Sequence, residues 1–274
     1  YDTTIQKELS SRFGEEGLPT SLHISGIGSP PLRYGENPHQ AAIFYSDNLS
    51  FGPSISSAAQ LQGKQLSYNN LLDFDAALSI VTEFSEPTVI IVKHNNPCGA
   101  ASAESLEQAY ELAINTDPQS SFGGIISFNQ EVGHKLAEKI TSSFKEGVIA
   151  PSFTKEALEV LSEKENLRVL ETGSLEDYER NPTLRSLDKG WLLQETDEVM
   201  IDISNCEVVT KRKPTDKELA GLQFGWKIVK HVKSNAIVFA KQKRTVGIGA
   251  GQMSRIDSVK VATFKSIPNP KDSV

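Results

Sequence analysis

Apolar positions along the chain switch between two spacings. Leu71, Phe74, Ala77, Leu78 and Val81 recur at steps of three and four, which predicts a helix over 70–84. Directly after it, TVIIV at 88–92 is an unbroken apolar and β-branched run, the pattern of a strand buried on both faces. The alternation continues with helices expected over 106–115, 135–144 and 154–162, and strands over 124–128 and 148–150. A shorter strand is expected over 42–45. Farther along, 214–232 reads as a helix with Thr215 as its N-cap and Glu218 at the capping-box position. Strands are expected over 236–240 and 245–248, separated by a turn of Lys241, Gln242, Lys243 and Arg244, and Asp257 is expected to open a last helix. Strand alternating with helix places the chain in the α/β class with a largely covered sheet.

Residues 1–12 read as a short helix, and the Gly- and Pro-bearing stretch up to residue 30 reads as a linker. A unit boundary near residue 30 and an ordinary N-terminal arm both fit. Gly173, Pro182 and Gly190 interrupt 166–196, which reads as a seam between a first unit, 31–195, and a second, 196–274. The second unit stops after its last helix, before any strand that would follow, and is expected to be incomplete.

Composition narrows the partners. The chain has 274 residues and a net charge of −7, which disfavours non-specific nucleic-acid binding. Two Cys, Cys98 and Cys206, argue against a disulfide scaffold and fit a reducing compartment, so a cytoplasmic location is expected. No apolar run reaches the length of a membrane span, and the first residues carry no secretory pattern.

Five polar clusters sit where strands are expected to end, and open α/β sheets bind ligands beyond the C-terminal ends of their strands. The sharpest is Lys93-His94-Asn95-Asn96-Pro97-Cys98-Gly99, directly after TVIIV. A lysine beside an imidazole suits proton removal and support of an oxyanion. Its Pro-Cys lacks the second Cys and the His-x-Glu that zinc deaminase chemistry requires, so no zinc is expected. The second cluster, Arg33-Tyr34-Gly35-Glu36-Asn37-Pro38-His39-Gln40, offers a forked guanidinium for phosphate or carboxylate. The third is Asp117-Pro118-Gln119-Ser120-Ser121-Phe122-Gly123-Gly124, and the fourth Lys233-Ser234-Asn235. The fifth, Gly247-Ile248-Gly249-Ala250-Gly251-Gln252-Met253-Ser254-Arg255, does not match a dinucleotide loop but delivers Arg255 at a helix start, where anions are favoured.

Taken in order, these motifs resemble aminoimidazole carboxamide ribotide (AICAR) transformylase, the C-terminal half of a bifunctional purine-biosynthesis protein whose other half is a cyclohydrolase. The resemblance implies two tandem cytidine-deaminase-like α/β/α units without zinc, and a homodimer with shared active sites. It implies formyl transfer from 10-formyltetrahydrofolate to the amine of AICAR, with Lys93, His94 and Asn235 as catalytic residues. Arg33, Tyr34, His39, Asn70 and Gly123 would bind the ribotide, and Arg255 and Ile256 would face the folate. Relatives continue past the last helix with a Ser-Asp-Ala-Phe-Phe-Pro-type segment on the folate side, which is absent before Val274. Two rival readings follow: a non-catalytic ribotide-binding or dimerising remnant, and a zinc-free amide or amidine hydrolase using the same Lys-His pair.

Overall fold

The computed structural model describes Ile5 and residues 17–47, 52–266 and 270–274. Apart from Ile5, the helix expected over 1–12 lies outside the described residues. The chain forms a mixed α/β structure around an eight-stranded sheet in the order β11-β12-β5-β4-β6-β7-β8-β3. Its strands are β3 (Ala59–Gln62), β4 (Thr88–Lys93), β5 (Asn96–Ser102), β6 (Ile125–Phe128), β7 (Gly147–Ala150), β8 (Arg168–Glu171), β11 (Ile237–Lys241) and β12 (Arg244–Gly249). β6, β7 and β8 run parallel to one another, and the remaining pairings are antiparallel.

The uninterrupted run on β4 is buried on both faces, as its sequence predicts, and its alternate residues enter two different cores. Val89 and Ile91 pack in one and Ile90 and Val92 in the other. The first core is covered by α2 (Leu106–Ile114), α4 (His134–Thr141) and α5 (Lys155–Ser162). The second is covered by α1 (Tyr68–Val81) and α6 (Asp216–Val229). A period of two on the strand thus sorts neighbouring residues into opposite layers. α6 starts as its sequence predicts: the Thr215 hydroxyl accepts from Glu218 N–H, and the Glu218 side chain accepts from Thr215 N–H.

Several elements depart from expectation. β5 emerges from a stretch that reads as a Pro/Gly turn; β3, β8 and the four-residue helix α3 (Pro118–Ser121) also lack a periodic signal. The expected seam contains β8 and an exposed hairpin of β9 (Thr183–Leu187) and β10 (Gly190–Gln194). The strand expected over 42–45 shrinks to β2 (Tyr45–Ser46), paired with β1 (Ile27–Gly28) inside the expected linker. Beyond that pair, Ser29 and Leu32 donate to Phe44 and Ala42, but Pro30 and Pro31 have no N–H to extend a regular ladder. The helix expected over 135–144 ends at Thr141, and Phe144 C=O instead accepts from Gly123 N–H at 3.0 Å. The last helix, α7 (Arg255–Lys265), begins two residues before Asp257 because Ser254 caps it, accepting from Asp257 N–H.

The strands on either side of residue 195 meet in this one sheet through a single backbone pairing, Arg244 with Ala101. Beside it the buried Thr245 hydroxyl takes over the ladder, accepting from Ala100 N–H at 2.9 Å and lying 3.2 Å from Ala100 C=O. Past this point β5 and β12 part.

A buried carboxylate ties the later segment to α1. Glu83 sits just beyond α1, its side chain 5% exposed, with Arg180, Lys230 and His231 at 2.8, 2.7 and 3.0 Å. Burial alone would raise its pKa, but hydrogen bonds from His231 and Lys230 and the charge of Arg180 outweigh burial and hold it at about 2, against 4.5 unperturbed. A depressed folded-state pKa stabilises the fold fully above about 4.5, and that contribution is lost as pH falls from 4.5 toward 2. Glu83→Gln, which leaves the Arg180 and Lys230 charges uncompensated, is expected to cost about 3 kcal/mol at neutral pH. Denaturant titrations should show the gap between wild type and variant closing as pH drops through that window; a pH-independent gap would contradict the ion-pair account.

Candidate active site

Where β5 and β12 part, a cleft of about 280 Å³ opens, and three of the five polar clusters line it. Lys93, His94 and Cys98 come from the β4–β5 hairpin, Asp117 and Ser120 from the entry to α3, and Gln252 from the Gly-rich turn after β12. Lys265, at the end of α7, closes the cleft from the opposite side.

Lys93 ends β4, and its Nζ donates to Phe122 C=O at 2.7 Å, leaving two further donor positions on the ammonium. Gly123, in the left-handed region at φ 71°, follows that carbonyl, and an added Cβ there would lie 4.0 Å from Lys93 Nζ and 3.3 Å from the Phe144 ring. The positive φ is what calls for glycine here. His94 and Asn95 form the two-residue turn between β4 and β5, with φ of 53° and 61°. Both backbone N–H groups donate to Asp73 of α1, His94 at 3.3 Å and Asn95 at 2.6 Å. Burial raises the Asp73 pKa, against the lowering effect of those two hydrogen bonds.

Burial pushes the Cys98 thiol up to about 12, and the Asp117 carboxylate acts in the same direction. The neutral thiol this leaves is a poor nucleophile. Asp117 accepts from Lys265 at 2.6 Å and from Ser120 N–H at 2.9 Å. Burial would raise the Asp117 pKa, but the hydrogen bonds from Lys265 and Ser120 outweigh it and lower it. The third cluster and α7 are therefore joined by an ion pair across the cleft.

Asn235 stands beside this cleft rather than in its lining: its Nδ2 donates to the carbonyls of Gln252 at 3.0 Å and Met253 at 3.3 Å. The Ser234–Asn235 peptide is cis. Asn96 joins the fourth cluster to the hairpin, accepting from Lys233 N–H at 3.0 Å while its Nδ2 donates to His94 C=O at 3.1 Å.

Arg33, Tyr34 and His39 do not line this cleft. They lie in the loop preceding α1, where Tyr68 N–H donates to Tyr34 C=O and Asn69 Nδ2 donates to Glu36 C=O. The Arg33 guanidinium sits 5.3 Å above the Tyr34 ring, a contact that holds it extended over an aromatic face. Asn70 completes a capping box, its Oδ1 accepting from both Ser67 N–H and the Ser67 hydroxyl, so that oxygen serves the helix start. Arg255 and Ile256 occupy the first turn of α7, exposed and outside the cleft lining.

The Gly-rich turn owes two of its glycines to packing. Gly247 and Gly249, two apart on β12, share the face against which α7 lies; a Cβ on either would collide with the carbonyls of Ala262 and Ser258, four apart on the helix. Gly251 instead takes φ 66° in the turn. Sequence reasoning missed Asp73, Thr245 and Lys265. For Asp73 the available signal was its spacing of four from Asn69, which sets both on one face of α1. Among the described residues no group of three or more His, Cys, Asp or Glu side chains could hold a metal ion, and no helix is long and apolar enough to cross a membrane.

The fold and cleft define a mixed α/β protein with a lysine–histidine pair set at the end of a central strand. The family model described as AICARFT/IMPCHase bienzyme matches residues 1–265, and the chain belongs to that family. The chain is similar to the bifunctional purine biosynthesis protein PurH of Bacillus cereus (strain AH187), at 48% identity over 262 residues, 96% of this chain and 51% of that protein. PurH of Anoxybacillus flavithermus (strain DSM 21510 / WK1) is 46% identical over 274 residues, 100% of this chain and 53% of that protein. The chain thus spans about half the length of the curated relatives it matches.

Gly249→Ala is expected to destabilise the chain by about 1–3 kcal/mol through overpacking of α7 on β12. Chemical denaturation measures this, and an unchanged midpoint would remove close helix approach as the reason for that glycine.

Proposed function

We propose that this chain carries the formyl-transfer half of purine biosynthesis, moving the formyl group of 10-formyltetrahydrofolate onto the amine of AICAR. The observation that carries the reading is the pairing of Lys93 and His94 at one cleft, joined there by the Asp-Pro-x-Ser-Ser and Gly-rich clusters. Family membership supplies the reaction class. In this reading the amine nitrogen attacks the formyl carbon; the new N–C bond forms as the C–N bond to the folate breaks. His94 takes the proton lost by the amine and gives it to the departing folate nitrogen, while Lys93 supports the oxyanion with a free N–H. An amine conjugated to a carboxamide is a weak nucleophile, so placement and charge support must supply most of the rate.

Arg33, Tyr34 and His39 grip the ribotide from the loop before α1, with Arg33 nearest the phosphate, and Asn70 and Gly123 line the ribotide pocket. Asn235 contacts the carboxamide or formyl group. Arg255 and Ile256 face the folate, and two copies of the chain share their sites in a homodimer. The reading includes two cytidine-deaminase-like units, 31–195 and 196–274. The single backbone pairing between β5 and β12 supports that division. No observation favours the non-catalytic remnant.

Calorimetric titration with AICAR and then with a 10-formyltetrahydrofolate analogue, followed by an assay of turnover, tests the proposal. His94→Ala is expected to abolish transfer while AICAR affinity stays within about tenfold, because the lost group serves the chemical step. Arg33→Ala is expected to weaken AICAR binding instead. Full activity in the first variant would remove His94 from the mechanism, unchanged affinity in the second would remove Arg33 from the phosphate, and turnover of AICAR without a formyl donor would favour the hydrolase.

A further inference from the structure

Asp73 contributes nothing to the cleft lining, yet one carboxylate on α1 receives both amides of the turn that carries His94. That turn is two residues long with φ of 53° and 61°, and neither residue is glycine. Left-handed backbone costs a residue with a Cβ about 1 kcal/mol or more, so the turn needs support from outside itself. The Asp73 carboxylate supplies it by bridging consecutive N–H groups, one oxygen to each.

The support is rigid because α1 is rigid. Phe74, Ala77 and Leu78 on the neighbouring face are buried in the core beneath β4 and β6. Four residues before Asp73, and therefore on the same side of the helix, Asn69 donates to Glu36 C=O in the Arg33–His39 loop. One face of one helix thus holds both the loop assigned to the ribotide and the turn that presents Lys93 and His94. The two anchor points are about 6 Å apart along the helix axis.

We infer that Asp73 is a positioning residue: it holds the left-handed His94–Asn95 turn so that the Lys93–His94 pair stands at a fixed spacing from the Arg33–His39 loop. This inference rests on the formyl-transfer reading for its catalytic consequence, but the clamp itself is a property of the fold.

Two measurements on the 274-residue chain separate these. Backbone amide exchange at His94 and Asn95 is expected to speed up at least about tenfold in Asp73→Asn, which replaces one acceptor oxygen by a donor. Exchange at Ile90 and Ile126 should not change. In the transfer assay Asp73→Asn is expected to lower kcat at least about tenfold with KM for AICAR within about threefold. Adding Asn95→Gly, which favours the same turn without Asp73, should recover a substantial part of the lost kcat. A merely stabilising carboxylate would shift the unfolding midpoint without this split or rescue. Unchanged amide exchange would overturn the clamp. Unchanged kcat, a loss confined to KM, or no rescue by Asn95→Gly would overturn the positioning role. A wild-type chain without transfer activity would defeat the formyl-transfer reading and the catalytic consequence together, while faster exchange in Asp73→Asn would still establish the clamp.

Discussion

The cleft exists because two neighbouring strands share one backbone pairing and then separate. At Ala101 and Arg244 the ladder between β5 and β12 forms, and next to it the Thr245 hydroxyl stands in for a backbone group toward Ala100. Thr116 reinforces the junction, its Oγ1 donating to Thr245 C=O at 2.8 Å. Ala100, Ala101, Thr116 and Thr245 are buried, where an unmatched polar atom would be costly, so the junction is held tightly while the strands beyond it diverge. Had the ladder continued, the hairpin and the Gly-rich turn would be zipped together and no cleft would lie between them.

The elements around the gap are held by different means. α7 is pressed onto β12 by the absence of side chains at Gly247 and Gly249, which lets helix carbonyls approach the strand. Its far end is fixed by the Lys265–Asp117 ion pair, which reaches across to the entry of α3. α1 is fixed by apolar burial on one face and spends its polar face on two loops. α6 is tied to the end of α1 through Glu83, whose burial is offset by Arg180, Lys230 and a hydrogen bond with His231. Apolar packing sets the layers, and a few polar contacts set the angles at which the loops enter the cleft.

In the proposed transfer between a weakly nucleophilic amine and a formyl donor, such positioning would be the protein's main contribution. The hairpin places a cation and an imidazole on adjacent residues, one at the end of a buried strand and one in a constrained turn. The strand gives Lys93 little freedom, and its bond to Phe122 C=O narrows that further. The loop before α1 and the hairpin turn are both bonded to α1, so that helix sets a spacing between them.

Periodicity in the sequence determined β4, α1, α2, α5 and α6, because each buries a face whose repeat is written within the element itself. The capping box at Thr215 and Glu218 and the order of the polar clusters were equally legible, since both are local patterns. Tertiary structure alone decided β5, β3 and β8. Asn-Pro-Cys-Gly-Ala-Ala-Ser becomes a strand only because β4 offers it a full edge, and Arg-Val-Leu-Glu only because β7 does. The same holds within the site. Neither Asp73 nor Lys265 stood out in the sequence, and Gly247 fell in a candidate ligand turn. Their roles are set by groups 15 to 148 residues away in sequence, brought close by sheet order and helix packing, which no local pattern encodes.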